Sequence, residues 1–146
     1  MTRYKQPISV LVVIYTPALQ VLLLERAAHP DFWQSVTGSR EDNEQLIDTA
    51  RREVMEETGL DTTCYKLTDW HTTNNYEIFP QWRHRYAPDV THNTEHVFSL
   101  EIPSQLTITT EPSEHRAHQW LPYEEAAARC FSSSNRDAIL ALPTRT

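Results

Sequence analysis

The sequence predicts an α/β layered domain in which a mixed β-sheet is sandwiched between α-helices. Three observations carry that expectation. Strand-like stretches recur on both sides of one strongly amphipathic helical segment. Ile8 to Tyr15 and Val21 to Glu25 are β-branched and Leu-rich around a turn of hairpin length, the signature of a buried hairpin. The chain also holds only two glycines, Gly38 and Gly59, where average usage would supply about ten, so each has a specific reason to be there.

Taken in order, the hairpin turns over Thr16 to Gln20 and is followed by a polar loop, Arg26 to Asp31. Phe32 to Thr37 reads as a short strand leading into Gly38, and Ser39 to Glu44 as a polar loop whose Asp42 or Asn43 can cap the next helix. Gln45 to Thr58 is that helix: Ile47, Ala50 and Val54 fall at 3- and 4-residue spacing, and Gly59 stands where a left-handed residue ends it. Strand-like stretches follow at Tyr65 to Thr73, Tyr76 to Tyr86, His96 to Ile102 and His118 to Leu121. Pro122 opens a helix through Arg129, and Ser133 to Asn135 cap a last helix from Arg136 to Leu142. With no repeat, low-complexity tract or linker, residues 1–146 read as one domain.

Composition excludes several classes. At 146 residues and 39% hydrophobic content, the chain can form a core without disulfides or structural zinc. The longest apolar run, Ile8 to Tyr15, is far short of the roughly 20 residues that span a bilayer, so no membrane span is expected. The basic N-terminus leads into a strand without a small-residue cleavage site, which suggests a cytoplasmic protein. Cys64 and Cys130 form neither a metal-ligand pair nor a disulfide framework and are expected as buried thiols. A formal charge of −7 argues against nucleic-acid partners, because no excess of Lys and Arg is available to displace counterions.

Outward from the glycines, the chain reads Gly38, five residues, Glu44, seven residues, then Arg52-Glu53-Val54-Met55-Glu56-Glu57-Thr58-Gly59-Leu60. On a helix, Glu53, Glu56 and Glu57 fall within roughly 100° of one another, beside the apolar stripe of Ile47, Ala50 and Val54. Their mutual repulsion costs roughly 0.2–0.5 kcal/mol per pair, and a divalent cation would remove it. Carboxylates are hard ligands suited to Mg²⁺ or Mn²⁺. Alone, such a cluster is more often a solvated helix face, but seven fixed identities and two apolar positions over residues 38–60 coincide by chance at about 10⁻⁸ to 10⁻⁷ per chain.

This pattern resembles the Nudix box, and the chain is identified as a member of the Nudix hydrolases. The resemblance implies the Nudix fold, a divalent metal and cleavage of a phosphoanhydride. It also implies that Gly38 lets the loop turn towards the helix, that Glu44 and Arg52 pair to brace that loop, and that Glu53, Glu56 and Glu57 hold metal. The family often has glycines where this chain has Ser39 and Asn43; Asn tolerates positive φ. Tyr4 to Val10, Pro30 to Ser39, Arg83 to Pro88, Asn93-Thr94-Glu95, Glu114-His115 and Ser134 to Arg136 resemble the branch of the family that splits dihydroneopterin triphosphate into monophosphate and pyrophosphate in folate synthesis. By that resemblance Glu114, with Glu111 as its competitor, supplies a further carboxylate as metal ligand or general base.

On the substrate side, alternation in Trp82 to Tyr86 places Arg83 and Arg85 on one strand face, a basic patch suited to polyphosphate. The resemblance adds Lys5, Arg26, Thr37 and Asn135 as substrate contacts, and Tyr76, Glu77, Ile78 and Phe79 can wall a pocket for a flat ring. The partner expected is a small-molecule triphosphate, and the chain a monomer or weak homodimer. Alternatives are a general nucleoside triphosphate pyrophosphatase active on dATP, and a non-catalytic nucleotide-binding module. Retention of every box carboxylate favours the enzyme. A calcium-binding EF-hand is excluded by ligand spacing, and a zinc centre by the lack of a His-Cys cluster.

Overall fold

The computed structural model describes residues 3–145. β1 (Ile8–Tyr15) is its central strand. It pairs antiparallel with β4 (Val36–Ser39) on one side and parallel with β6 (His92–Glu101) on the other, and β6 in turn pairs antiparallel with β5 (Lys66–Glu77). β2 (Gln20–Arg26) leaves β1 at the Tyr15–Val21 pair and forms an antiparallel extension between β3 (Trp33–Gln34) and β7 (His115–Pro122). The hairpin therefore opens, and β4 takes the place beside β1 that a long β2 would have held.

β1 is apolar on both faces because both are covered. Val10, Val12 and Ile14 pack with Phe98, Leu100 and, from α1 (Leu46–Thr58), Ala50 and Val54. Leu11, Val13 and Tyr15 pack on the opposite face with Ala126, Ala127, Ala138 and Ile139 of α2 (Tyr123–Arg129) and α3 (Ser133–Leu140). A last turn, α4 (Leu142–Arg145), adds Leu142 to that layer. The mixed sheet thus lies between helices, as the sequence predicts. Among the described residues no helix is long and apolar enough to cross a membrane.

Several local expectations are corrected. Neither Asp42 nor Asn43 caps α1: the cap position is Gln45 and its side chain makes no capping bond. Glu44 organises the loop instead, accepting the Glu41 amide at 2.9 Å and the Thr49 hydroxyl at 3.1 Å. The left-handed loop residue is Asp42 (φ 50°), not Asn43. Gly59 does end α1 left-handed (φ 76°), its N–H donating to Met55 O at 2.9 Å. Ser132, one residue before the expected caps, receives the Asn135 N–H, so α3 begins at Ser133. β5 continues through Asn74 and Asn75 to Glu77, and Pro80–Arg85 is a 3₁₀ helix, not a strand. Pro80 lacks the N–H a strand ladder needs but suits a first helical turn. Cys64 is exposed and Cys130 half-buried; both are free.

Candidate active site

A cleft of about 890 Å³ runs from α1 and the start of β4 to the N-terminal end of α3. Glu53, Glu57, Glu114, Lys5, Arg26, Thr37, Tyr76, Glu77, Ile78, Phe79, Arg85 and Asn135 line it, as the sequence reading requires of a site. Four other site candidates do not. Glu44 and Arg52 form the brace behind it, Glu56 points outward with its side chain 52% exposed, and Arg83 lines a separate shallow depression. The face shared by Arg83 and Arg85 existed only on the assumption of a strand. At about three residues per 3₁₀ turn, positions two apart diverge.

The brace fixes the carboxylates. Arg52 donates to Glu44 at 2.9 and 3.0 Å, to Ser39 O at 3.0 Å and to Glu53 Oε1 at 2.8 Å, tying loop to helix. Those bonds hold the Glu44 carboxyl down to about 2. Gly38 leaves room for the Glu53 carboxylate: a Cβ there would overlap it, and the end of that side chain would have to shift. Positive φ is not the reason, since Gly59 is the glycine in that region. Glu53 therefore lies flat against β4, which a sequence pattern cannot reveal.

Glu57 is the most buried of the acids, with its side chain 3% exposed. Its Oε1 has no hydrogen-bond partner among the described residues. Burial first, then the adjoining Glu53 and the charge of Glu114, raise its pKa well above the usual carboxylate range, and burial also raises that of Glu53. His115 Nε2 stands 3.7 Å from the orphan oxygen, but burial and Arg26 push this imidazole down to about 4, so at neutral pH it carries no charge to offset Glu57. Two crowded, buried carboxylates with an unpartnered oxygen fit a hard divalent cation. Among the described residues no three His, Cys, Asp or Glu are already gathered closely enough to enclose one. Glu114 faces the same pair, placed by Ala27 N–H donating to Glu114 O at 2.9 Å, whereas Glu111 is occupied by the Ser113 hydroxyl at 3.1 Å.

Opposite the acids stand Lys5, Arg26 and Arg85. Lys5 N–H donates to Arg85 O at 2.9 Å, which brings the N-terminal segment against the 3₁₀ helix. Burial first, and then repulsion from Arg85, lowers the pKa of Lys5 and of Arg26. None of the three forms an ion pair among the described residues, and Arg26 Nε is buried without a partner. Three converging cations with no ion pair of their own among the described residues are suited to a polyphosphate. Arg26 is stacked 4.8 Å over Trp82, and Phe79, Trp82 and Phe131 form a ring cluster at the cleft wall with centroids 5.3 to 6.2 Å apart.

Sequence reasoning missed Ser9, Asn93, Glu95, His115 and Phe131, all of which line the cleft. Asn93 and Glu95 carried a readable signal, two polar residues at the i, i+2 spacing of one strand face ahead of an apolar run.

A NUDIX domain model matches residues 5–142. The dihydroneopterin triphosphate diphosphatase of Escherichia coli is 49% identical over 139 residues, 93% of this chain and 91% of that protein. The protein of the same name from Haemophilus influenzae is 42% identical over 142 residues, 95% of this chain and 89% of that one. In fold, the chain matches the structure of the E. coli dihydroneopterin triphosphate pyrophosphohydrolase with a TM-score of 0.91 at 46% identity, covering 98% and 99% of the two chains.

Proposed function

The chain belongs to the NUDIX domain family, and on that premise we propose that it hydrolyses dihydroneopterin triphosphate to dihydroneopterin monophosphate and pyrophosphate. One observation carries the reading: buried acids and unpaired cations face each other across a cleft that continues onto an aromatic wall. Lys5, Arg26 and Arg85 neutralise and orient the polyphosphate. The aromatic wall and Tyr76 to Phe79 take the flat ring. Thr37 holds β4 against β1, its hydroxyl donating to Val10 O at 3.0 Å.

Glu53, Glu57 and Glu114 would hold a divalent cation, Mg²⁺ or alternatively Mn²⁺, and Glu56 would join them only by leaving Arg52. When bound, such an ion acidifies a water and offsets charge on the leaving phosphate. As the alternative to holding the cation, Glu114, the most exposed of the three inner acids, takes a proton from the attacking water. The chain acts as one domain, a monomer or weak homodimer, in a reducing cytoplasm where Cys64 and Cys130 stay unpaired.

A second reading, a general nucleoside triphosphate pyrophosphatase including dATP, draws on the same aromatic wall, which can stack any fused ring. Steady-state kinetics on dihydroneopterin triphosphate against a panel of nucleoside triphosphates separates the two. The first reading expects the highest kcat/KM on the pterin with pyrophosphate as product. Primary release of orthophosphate, or a higher kcat/KM on any nucleotide, would overturn it.

A further inference from the structure

Asn93 and Glu95 stand two residues apart on β6 and line the same cleft, 1% and 4% exposed. The strand pairings set Asn93 opposite Tyr76, and Glu95 between Asn74 and Ser9. The Asn93 amide nitrogen is used twice, donating to Ser9 Oγ at 2.7 Å and Tyr76 Oη at 3.1 Å, while its Oδ1 is buried with no partner among the described residues. Glu95 receives Asn74 Nδ2 at 3.3 Å and the Ser134 hydroxyl, and no cation among the described residues pairs with it. A buried acceptor without a donor and a buried carboxyl without a counter-ion are each costly. Burial raises the Glu95 carboxyl above its usual range, and the bonds from Ser134 and Asn74 offset this only in part.

We propose that Glu95 and Asn93 recognise the 2-amino-4-oxopyrimidine edge of the substrate ring, accepting its adjacent ring and exocyclic N–H donors. The proposal rests on the reading of a heterocyclic triphosphate as substrate and deepens it. A carboxylate matches two parallel N–H donors as it matches half of a guanidinium fork. The pterin ring presents that pair, and guanine presents the same pair. Adenine presents a donor beside a ring-nitrogen lone pair, which would face a carboxylate lone pair. The cations and box acids handle phosphates that every nucleotide shares, so discrimination among rings falls to other groups lining the cleft, and Glu95 stands where the cleft meets Ser134 in the first turn of α3.

Glu95→Gln tests this, because the amide replaces one acceptor by a donor and suits adenine better than the 2-amino-oxo edge. With wild type and variant, kcat/KM is measured for dihydroneopterin triphosphate, GTP, ITP and ATP, with inhibition constants for poor substrates. The variant should lower the GTP-to-ATP ratio of kcat/KM by about 10²-fold, equivalent to about 2.7 kcal/mol for one bidentate contact. The change should lie in KM, with the pterin substrate falling alongside GTP. In wild type, ITP, which lacks the 2-amino group, should be about tenfold poorer than GTP. Equal losses on all substrates would mark Glu95 as merely structural and overturn the proposal, as would equal use of ITP and GTP. Should the variant fail to fold, the wild-type GTP and ITP comparison decides alone. Failure of wild type on the pterin, with the GTP, ITP and ATP pattern as expected, would refute the substrate reading and support the edge recognition.

Discussion

Glu57 concentrates the conflict between stability and function in one side chain. Its ionised form is disfavoured in the fold by burial and by Glu53, yet a carboxylate there is what a cation would need. Glu57→Gln removes the repulsion and keeps the shape. It should lower kcat by about 10³-fold or more while raising the urea midpoint measured in EDTA. Undiminished turnover in the variant, or in wild type with excess EDTA, would contradict the metal assignment. Glu44 behaves oppositely, since Arg52 stabilises its ionised form. Its folded carboxyl titrates at about 2, and unfolded near 4.3. The stability it contributes is therefore complete above the unfolded value and lost as pH falls from there towards 2. Urea midpoints between pH 5 and 3 should accordingly fall less steeply for Glu44→Gln than for wild type.

At the scale of elements, the 3₁₀ segment Pro80–Arg85 decides which basic residue serves the site. Arg85 closes the segment beside Lys5 and lines the cleft, whereas Arg83 faces the depression formed by Tyr4, Pro88 and Val90. Arg85→Ala should raise KM about tenfold or more, the loss of one charge-assisted contact to phosphate. Arg83→Ala should leave kcat and KM within about twofold. Equal effects of the two substitutions would restore the shared strand face expected from alternation.

Across the whole molecule, α3 is bolted to the β3–β4 junction by one amide. Asn135 accepts the Ser35 N–H at 2.8 Å and donates to Ser35 Oγ at 3.0 Å, bridging one hundred positions of sequence at 2% exposure. This bond sets the separation between the helical layer and the strand that carries Thr37 and Gly38. Asn135→Ala leaves the Ser35 amide buried and unpaired, so it should destabilise the fold by about 2 kcal/mol or more. Chemical denaturation gives that figure. The substitution should also raise KM even where folding is complete, because one end of the cleft loses its anchor.

The local chemistry of this chain is legible in its sequence. Spacing alone locates α1, its left-handed end at Gly59 and three acids on one helical face, because a regular helix converts residue number into direction. Resemblance adds the Glu44–Arg52 brace and the reaction class. The strand alternation that failed at Arg83 shows the limit: direction follows from number only where the backbone is regular, and Pro80 breaks that regularity. Only the tertiary structure decides that Glu57 is buried while Glu56 is not, that Gly38 makes room for Glu53, and that Lys5, Arg26 and Arg85 converge. It likewise brings Asn93 and Glu95 into the lining of the cleft, with Glu95 against Ser134 of α3. Burial, orphaned acceptors and unpaired cations arise from what distant segments bring together, and the parallel β1–β6 pairing that assembles them joins residues more than eighty positions apart.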